Sequence, residues 1–138
     1  MCLMRTVTYP AKVEFLDQIR DFVADVAREG GFSDKEIYSI QLAADEAATN
    51  IIEHAYKGMA NGRIELTCGL RGAELVIAMH DHGKSFDSTK VKTPNLQADI
   101  TERQIGGLGI YLMRKLMDEV VYCSSGSGNL LTMVKRKG

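Results

Sequence analysis

The residues of this chain best suited to chemistry include a carboxylate and an amide four positions apart. Glu46 and Asn50 fall in a long segment of helical period, and side chains at i and i+4 are neighbours on one helix surface. At about 100° per residue, Asn50 lies about 100° from the centre of the apolar seam and Glu46 about 140° away. The seam itself consists of Ile37, Ile40, Ala44, Ala47 and Ile51. Spacing alone favours a solvated rim over a ligand site.

A second carboxylate, Asp81, follows a segment of strict apolar alternation. Leu75, Ile77 and Met79 share its parity, so a regular strand turns it toward the same buried face. A buried carboxylate needs a donor, and no lysine or arginine of the same parity lies nearby. A ligand amino group is one such donor. The alternative, a strand that ends at His80 with Asp81 as an outward loop cap, stays open on spacing alone.

A glycine cluster, Gly106-Gly107-Leu108-Gly109, directly precedes a run of helical spacing that begins at Ile110. Glycines let the backbone approach a ligand, and the free N–H groups at a helix start favour anions such as phosphate. Many such clusters are plain turns. This one is neither a P-loop nor a dinucleotide fingerprint, and the protein-kinase set of motifs is absent from the sequence.

These residues must be positioned by helices that the pattern places early in the chain. Apolar spacing predicts a first helix over about Val13–Arg28, stopped by Gly30-Gly31. Ser33 and Glu36 form a capping-box pattern, which predicts that a second helix opens there. That helix extends to Tyr56 or the following residue, so it is long for a small domain.

Antiparallel hairpins account for most of the remaining chain. Two alternating runs meet at a turn, Arg71-Gly72, and a segment without period follows until a third helix begins at Ile110. A closing pair of strands is predicted at Val120–Ser124 and Leu130–Lys135. This order predicts an α+β fold, a two-layer sandwich with a mixed, mostly antiparallel sheet and its helices on one face.

Bulk properties narrow the classes of function. The 138 residues fit a single domain spanning 1–138, and a net charge of −1 argues against nucleic acid or an anionic membrane as a direct partner. The three cysteines lack ligand spacing, so we expect reduced thiols. No uninterrupted apolar stretch is long enough for a membrane span or a signal peptide, and we therefore expect a soluble cytoplasmic protein.

Three motifs in order carry a family resemblance that covers the chain from about Val13 to its end. DEAATNIIEHAY (Asp45–Tyr56) resembles the asparagine box of the GHKL ATPase superfamily, DHGKSFD (Asp81–Asp87) its Asp-x-Gly box, and GGLGIYLM (Gly106–Met113) its later glycine box. The superfamily includes gyrase-type, chaperone-type and histidine-kinase ATP domains. Within it, the sequence most resembles the bacterial anti-sigma factor serine/threonine kinases. The resemblance implies a Bergerat-type ATP-binding fold.

The resemblance also implies roles for particular residues, with ATP and Mg²⁺ as the small molecules bound. Asn50 would coordinate Mg²⁺, and Glu46 would be the general base that accepts the proton of a protein serine hydroxyl. Asp81 would accept the adenine amino group, with Gly83 allowing the turn beneath the base. The phosphates would be cradled by the backbone of Gly107, Leu108 and Gly109. The segment from about Ser88 to Ile105 would form a lid.

Three positions depart from the family pattern or carry no clear role in it. Asn129, after Gly128, stands where the family often has a threonine that helps to bind adenine through water; an asparagine can still hydrogen-bond there. His54 resembles a family position, yet we expect a histidine satisfied against its own helix rather than a catalytic one. For Tyr56 we expect a packing role.

Two functions of different classes therefore compete. The first is an anti-sigma kinase that phosphorylates a serine or threonine of a small anti-anti-sigma antagonist protein and also binds a sigma factor, with homodimerisation implied only by resemblance. The second is a non-catalytic nucleotide-binding module that holds a partner. An ATP-independent structural domain would require all three motifs to be accidental.

Overall fold

A computed structural model describes residues 2–84 and 107–138 of the chain. In chain order, its elements are β1 (Cys2–Pro10), a 3₁₀ turn (Val13–Phe15), α1 (Leu16–Glu29), α2 (Asp34–Asn50), a π-helical segment (Ile51–Ala55), β2 (Arg63–Arg71), β3 (Glu74–Asp81), α3 (Gly107–Leu116), β4 (Glu119–Ser125) and β5 (Gly128–Arg136).

The five strands form one sheet in the order β1-β2-β3-β5-β4, with β3 at its centre. All four pairings of the described strands are antiparallel, so the parallel component that a mixed sheet allows does not occur within them. The α+β two-layer sandwich is otherwise confirmed. Its first strand, β1, was not predicted; it pairs with β2 along the whole length from Cys2 to Pro10.

One face of the sheet is buried beneath the helices. Directly opposed residues of neighbouring antiparallel strands point to the same face, and Cys68, Ile77 and Met133 form such a row with no exposed surface. They pack in one cluster with Ile19 of α1 and Ile40 of α2. The helical layer therefore holds α2 directly against the central strands.

The start of α2 follows the predicted capping box. Ser33 Oγ accepts the Glu36 N–H at 3.2 Å, and Glu36 Oε1 accepts the Ser33 N–H at 2.8 Å. Gly31 precedes the cap at φ +76°, a left-handed conformation that ends α1 cheaply only for glycine. These local bonds fix where α2 begins and hence which of its side chains face the sheet. Its predicted apolar seam is buried throughout.

The hairpin of β2 and β3 sets the parity of the central strand. Its turn consists of Gly72 and Ala73, one residue later than predicted, because Arg71 still pairs with Glu74 and Gly72 adopts φ +62°. The buried parity of Leu75, Ile77 and Met79 then continues as far as Asp81, and Val76 of the opposite parity is buried as well.

The C-terminal end of α2 departs from regular α-helix. After Asn50 the chain enters the π-helical segment, in which the Tyr56 N–H reaches back to the Ile51 carbonyl at 3.1 Å. Such single π turns occur frequently at functional sites. The predicted continuation of the helix to Tyr56 is therefore correct in extent, but its last turn is wider than an α-helix.

Candidate functional site

A pocket opens where the end of α2 faces β3 and the first turns of α3. It encloses about 430 Å³ of empty space, the solvent at its mouth included. Its walls are mainly apolar, with a few polar groups among them. The lining residues are Ala47, Asn50, Ile51, His54, Ala55, Asp81, Lys84, Ile110, Tyr122 and Leu131. A mainly apolar cleft with a few convergent polar groups is typical of a small-molecule site.

Asp81 is a buried carboxylate at the wall of this pocket, with only 4% of its surface exposed. Its Oδ1 accepts two hydrogen bonds, from Asn129 Nδ2 at 2.8 Å and from the Gly83 N–H at 2.9 Å. Within residues 2–84 and 107–138 its other oxygen, Oδ2, receives no donor. The strand therefore stays regular as the parity predicts, and the outward loop cap is wrong. A buried carboxylate oxygen without a donor fits a ligand amino group.

The turn after Asp81 packs directly on the π-helical segment. A Cβ added to Gly83 would lie 2.3 Å from the Ala55 carbonyl oxygen, and the Lys84 N–H donates to that same oxygen at 2.7 Å. Only glycine allows the backbone to approach this closely. The predicted role of Gly83 in the turn thus has a steric reason in the described backbone.

We expect Gly83→Ala to cost about 1–3 kcal/mol in the free energy of unfolding, because its methyl group meets backbone that cannot move away cheaply. Urea unfolding measures this cost. Gly126→Ala is the matched control, since a Cβ there has nothing within 4 Å; its effect should stay within about 0.5 kcal/mol. Equal stabilities of the two variants would contradict the packing described for the turn.

Asn129 lies behind Asp81 rather than among the residues that line the pocket. It is 4% exposed, and its Nδ2 also donates to the Gly83 and Lys84 carbonyls at 3.0 and 3.2 Å. Its Oδ1 accepts from Ser124 Oγ at 2.9 Å. The described position gives Asn129 a supporting role: it holds the carboxylate and the turn that follows it.

Glu46 and Asn50 lie one turn apart on α2, and both face the start of α3. A Cβ added to Gly109 would lie 3.1 Å from Glu46 Oε2 and 3.3 Å from both polar atoms of the Asn50 carboxamide. These approaches are closer than ordinary van der Waals contacts, so glycine at this position keeps room for both side chains. The structure thus brings the asparagine box and the glycine box together.

The helix that carries the glycines begins earlier than its apolar spacing predicts. Within the described residues α3 spans Gly107–Leu116, so Gly107, Leu108 and Gly109 all lie in its first described turn. The first N–H groups of a helix have no intrahelical acceptor, and the helix dipole adds positive potential there. This arrangement suits an anionic group placed beside Asn50. Glycine costs up to about 1 kcal/mol relative to alanine inside a helix. The close approach of Gly109 to α2 explains why glycine occurs here despite that cost.

The side-chain oxygen of Asn50 is a suitable ligand for a hard divalent cation. Its carboxamide lines the pocket and makes no hydrogen bond to any side chain or backbone group in the described ranges. Amide and carboxylate oxygens are suitable ligands for Mg²⁺, which commonly keeps several waters and binds substrate phosphates. The residues present therefore fit a Mg²⁺ ion held by Asn50 together with an anionic ligand.

Glu46 is half-buried and retains its proton more strongly than an exposed glutamate. Burial raises its pKa first, and the negative charges of Asp45 and Glu53 raise it further. Asp45 is itself paired with Arg20 of α1. A carboxylate whose pKa is raised toward the working pH is a stronger base when ionised, which suits proton abstraction.

We expect the Glu46 carboxyl to titrate at a pH above the ordinary glutamate value of about 4.3. Because its pKa is raised, Glu46 keeps its proton to higher pH and becomes a base only above that point. Asp45→Asn removes one of the charges responsible and should lower the midpoint. NMR titration of the side-chain carbon measures both. Asp34→Asn, in the first turn of α2, is the control that should leave the midpoint unchanged; an ordinary midpoint in the unchanged protein would contradict the prediction.

Sequence reasoning missed several residues that line the pocket. Lys84, Tyr122 and Leu131 come from three different parts of the chain, and only the sheet order brings them together. His54 was expected to be satisfied against its own helix, yet its ring lines the pocket and makes no hydrogen bond within the described ranges. The spacing of Asn50 and His54, four residues apart, places them on the same helix surface and could have indicated that His54 also faces the pocket.

The lid predicted for Ser88–Ile105 lies outside the described residues, so its prediction stays untested. None of the described helices is long and apolar enough to cross a membrane.

Known proteins share this sequence over most of its length. The family model described as a histidine kinase-like ATPase domain matches residues 9–135. The serine-protein kinase RsbW of Bacillus subtilis (strain 168) is 36% identical over 132 residues, which cover 91% of this chain and 81% of that relative. The protein of the same name from Listeria monocytogenes serovar 1/2a is 33% identical over 132 residues, covering 92% and 84% respectively.

Solved structures agree on the fold. The RsbU and RsbW domains of a Mycobacterium tuberculosis protein match with a TM-score of 0.71 at 18% identity, over 98% of this chain. This chain spans 32% of that longer one. The catalytic domain of the histidine kinase ThkA matches with a TM-score of 0.58 at 14% identity, over 96% of this chain and 97% of that domain.

Proposed function

This chain belongs to the family of histidine kinase-like ATPase domains, and we propose that it is an ATP-dependent protein serine/threonine kinase that acts as an anti-sigma factor. The observation that carries the proposal is the pocket lined by both Asp81 and Asn50, in which Asp81 is buried and no residue of the described ranges donates to its Oδ2. The relatives named serine-protein kinases support the choice of serine as the acceptor.

In this proposal the pocket orients ATP from its base to its phosphates. Asp81 Oδ2 accepts the 6-amino group of adenine, while apolar neighbours such as Ile51 and Leu131 cover the flat ring. Asn50 holds Mg²⁺, which when bound neutralises charge on the phosphates. The N–H groups of the first turn of α3 face the phosphates, at the end of the site where Gly109 meets α2.

Glu46 then serves as the general base for transfer. It lies one turn before Asn50, outside the residues that line the pocket, where an incoming hydroxyl can reach it. It accepts the proton of the serine hydroxyl as that oxygen bonds to the γ-phosphorus. The bond from this phosphorus to the oxygen that bridges it to the β-phosphate breaks, and ADP leaves with the electron pair.

The partners of this proposed kinase are proteins. The acceptor serine or threonine belongs to a small antagonist protein, and a sigma factor is the regulated partner; both follow from the family resemblance. A near-neutral chain with a net charge of −1 supports protein partners over direct binding to nucleic acid. We also propose that the chain is one domain, acts in the cytoplasm and forms a homodimer.

The test is transfer of label from γ-labelled ATP with Mg²⁺ to the candidate antagonist protein of the same organism. We expect one serine or threonine to be labelled, and mass spectrometry to locate it. Replacement of that residue with alanine should abolish labelling. Tight ATP binding without transfer to any candidate antagonist would favour the non-catalytic binding module. Failure to bind ATP would contradict both functions.

A further inference from the structure

The hydroxyl group of Tyr56 bridges two backbone segments beside the pocket. It donates to the Arg63 carbonyl at 2.8 Å and accepts the His82 N–H at 2.7 Å. The ring is 7% exposed and belongs to the hydrophobic core. The expected packing role of Tyr56 is therefore correct for the ring, but it leaves out the hydroxyl, which contacts the residue directly after Asp81.

The position of this hydroxyl is fixed by the packing of its ring and by the backbone that carries it. A Cβ added to Gly62 would lie 2.3–2.6 Å from ring atoms of Tyr56, so the backbone of the loop before β2 packs flat against the ring. Tyr56 also directly follows the π-helical segment that ends at Ala55. Two neighbouring residues, 55 and 56, thus accept two backbone N–H groups of the turn, those of Lys84 and His82.

The other bonds of the turn come from Asp81 and Asn129. Asp81 Oδ1 accepts the Gly83 N–H, and Asn129 Nδ2 donates to the Gly83 and Lys84 carbonyls. The three consecutive N–H groups of residues 82–84 are therefore all paired. Because Oδ1 is used twice in this network, the orientation of the carboxylate is determined, and Oδ2 is the oxygen that the described part of the chain leaves for a ligand.

We propose that Tyr56 is a positioning residue for nucleotide recognition: its hydroxyl holds the His82 amide and thereby directs Asp81 Oδ2 toward the 6-amino group of adenine. The inference rests on the proposed function, since it assumes that adenine is the base in this pocket. Tyr56 itself does not line the pocket, so its effect passes through the turn.

Removal of the hydroxyl leaves the ring packing intact. In Tyr56→Phe the ring still fills its space against Gly62, but the Arg63 carbonyl and the His82 N–H lose their partner. The turn then has one anchor fewer on the side of the π-helical segment. A carboxylate that is held less rigidly binds its donor less well, because the conformational entropy lost in orienting the carboxylate is then lost on binding rather than on folding.

The test compares two nucleotides on two proteins. ATP carries the 6-amino group, whereas purine riboside triphosphate lacks it and is otherwise the same. We expect Tyr56→Phe to raise the Kd of ATP about fivefold, the effect of one typical hydrogen bond. The Kd of the analogue should change less than about twofold. Tyr38→Phe, which removes the hydroxyl of an exposed tyrosine on α2, should change neither. Isothermal titration measures all of these constants.

The outcomes separate this inference from the proposed function. Equal weakening of both nucleotides would overturn the inference, since it indicates a merely structural role, and so would unchanged ATP affinity. If the unchanged protein binds both nucleotides equally, the adenine assignment of the proposed function fails instead. Hydrogen exchange of the His82 amide in the unchanged protein is a second test that needs no variant. We expect slow exchange that ATP slows further; exchange as fast as in an open turn overturns the inference.

Discussion

Asp81→Asn is expected to weaken ATP binding by about 10- to 100-fold, the range for hydrogen bonds to a charged group. The carboxylate accepts from Asn129, from the Gly83 N–H and, in our proposal, from the adenine amino group. An asparagine has one acceptor oxygen, so its NH₂ group must face a donor on one side or the other. Either arrangement leaves a buried donor unpaired.

Isothermal titration of ATP measures this loss. Asp25→Asn is the matched control, because Asp25 is exposed on α1 and its ion pair with Arg28 lies at the surface. We expect the control to bind ATP as the unchanged protein does. Equal affinities of Asp81→Asn and the unchanged protein would show that Asp81 does not bind the base.

Glu46→Gln is expected to leave ATP affinity nearly unchanged and to slow phosphoryl transfer by a factor of about 10² to 10⁴. Glutamine keeps the size of the side chain beside Gly109 but cannot accept the hydroxyl proton. Because Glu46 lies outside the lining of the pocket, its loss should separate binding from transfer.

Single-turnover transfer from labelled ATP to the antagonist protein measures the rate, and titration measures the affinity. Glu65→Gln is the control, because Glu65 is exposed on β2, away from α2. We expect this variant to transfer phosphate at the normal rate. Normal transfer by Glu46→Gln would remove Glu46 from the role of base. A large loss of ATP affinity in the same variant would place Glu46 in nucleotide binding instead.

The parts of the site that the sequence predicted depend on local regularity. The capping box at Ser33 fixes the start of α2, so the rotation of Glu46 and Asn50 relative to the core follows from helical period. The burial of Asp81 follows from the period of two along β3, once the strand is regular to its end. In both cases a few residues determine the direction of a side chain.

The parts that were missed depend on tertiary contacts or on weak patterns. β1 alternates Thr6 and Thr8 with Val7 and Tyr9, a β-rich pattern whose polar members hide the signal of burial. The π-helical segment has no distinct sequence signature, because its wider turn is stabilised by what packs on it, including the Gly83 turn against Ala55.

The position of Asn129 also depends on tertiary contacts that the sequence does not reveal. Sequence comparison with the family placed it near adenine, whereas the described contacts place it behind Asp81, 48 residues away in the chain. The antiparallel pairing of Asp81 with Asn129 between β3 and β5 brings the two together. That register depends on the whole sheet, so neither motif alone could reveal the contact.

The most direct test of the central claim is a structure of the protein with Mg²⁺ and a non-hydrolysable ATP analogue. We expect Asp81 Oδ2 to lie about 2.7–3.2 Å from the 6-amino nitrogen of adenine. Asn50 Oδ1 should lie about 2.0–2.1 Å from Mg²⁺. An adenine ring bound outside the pocket, or an Asp81 Oδ2 without contact to the base, would contradict the account.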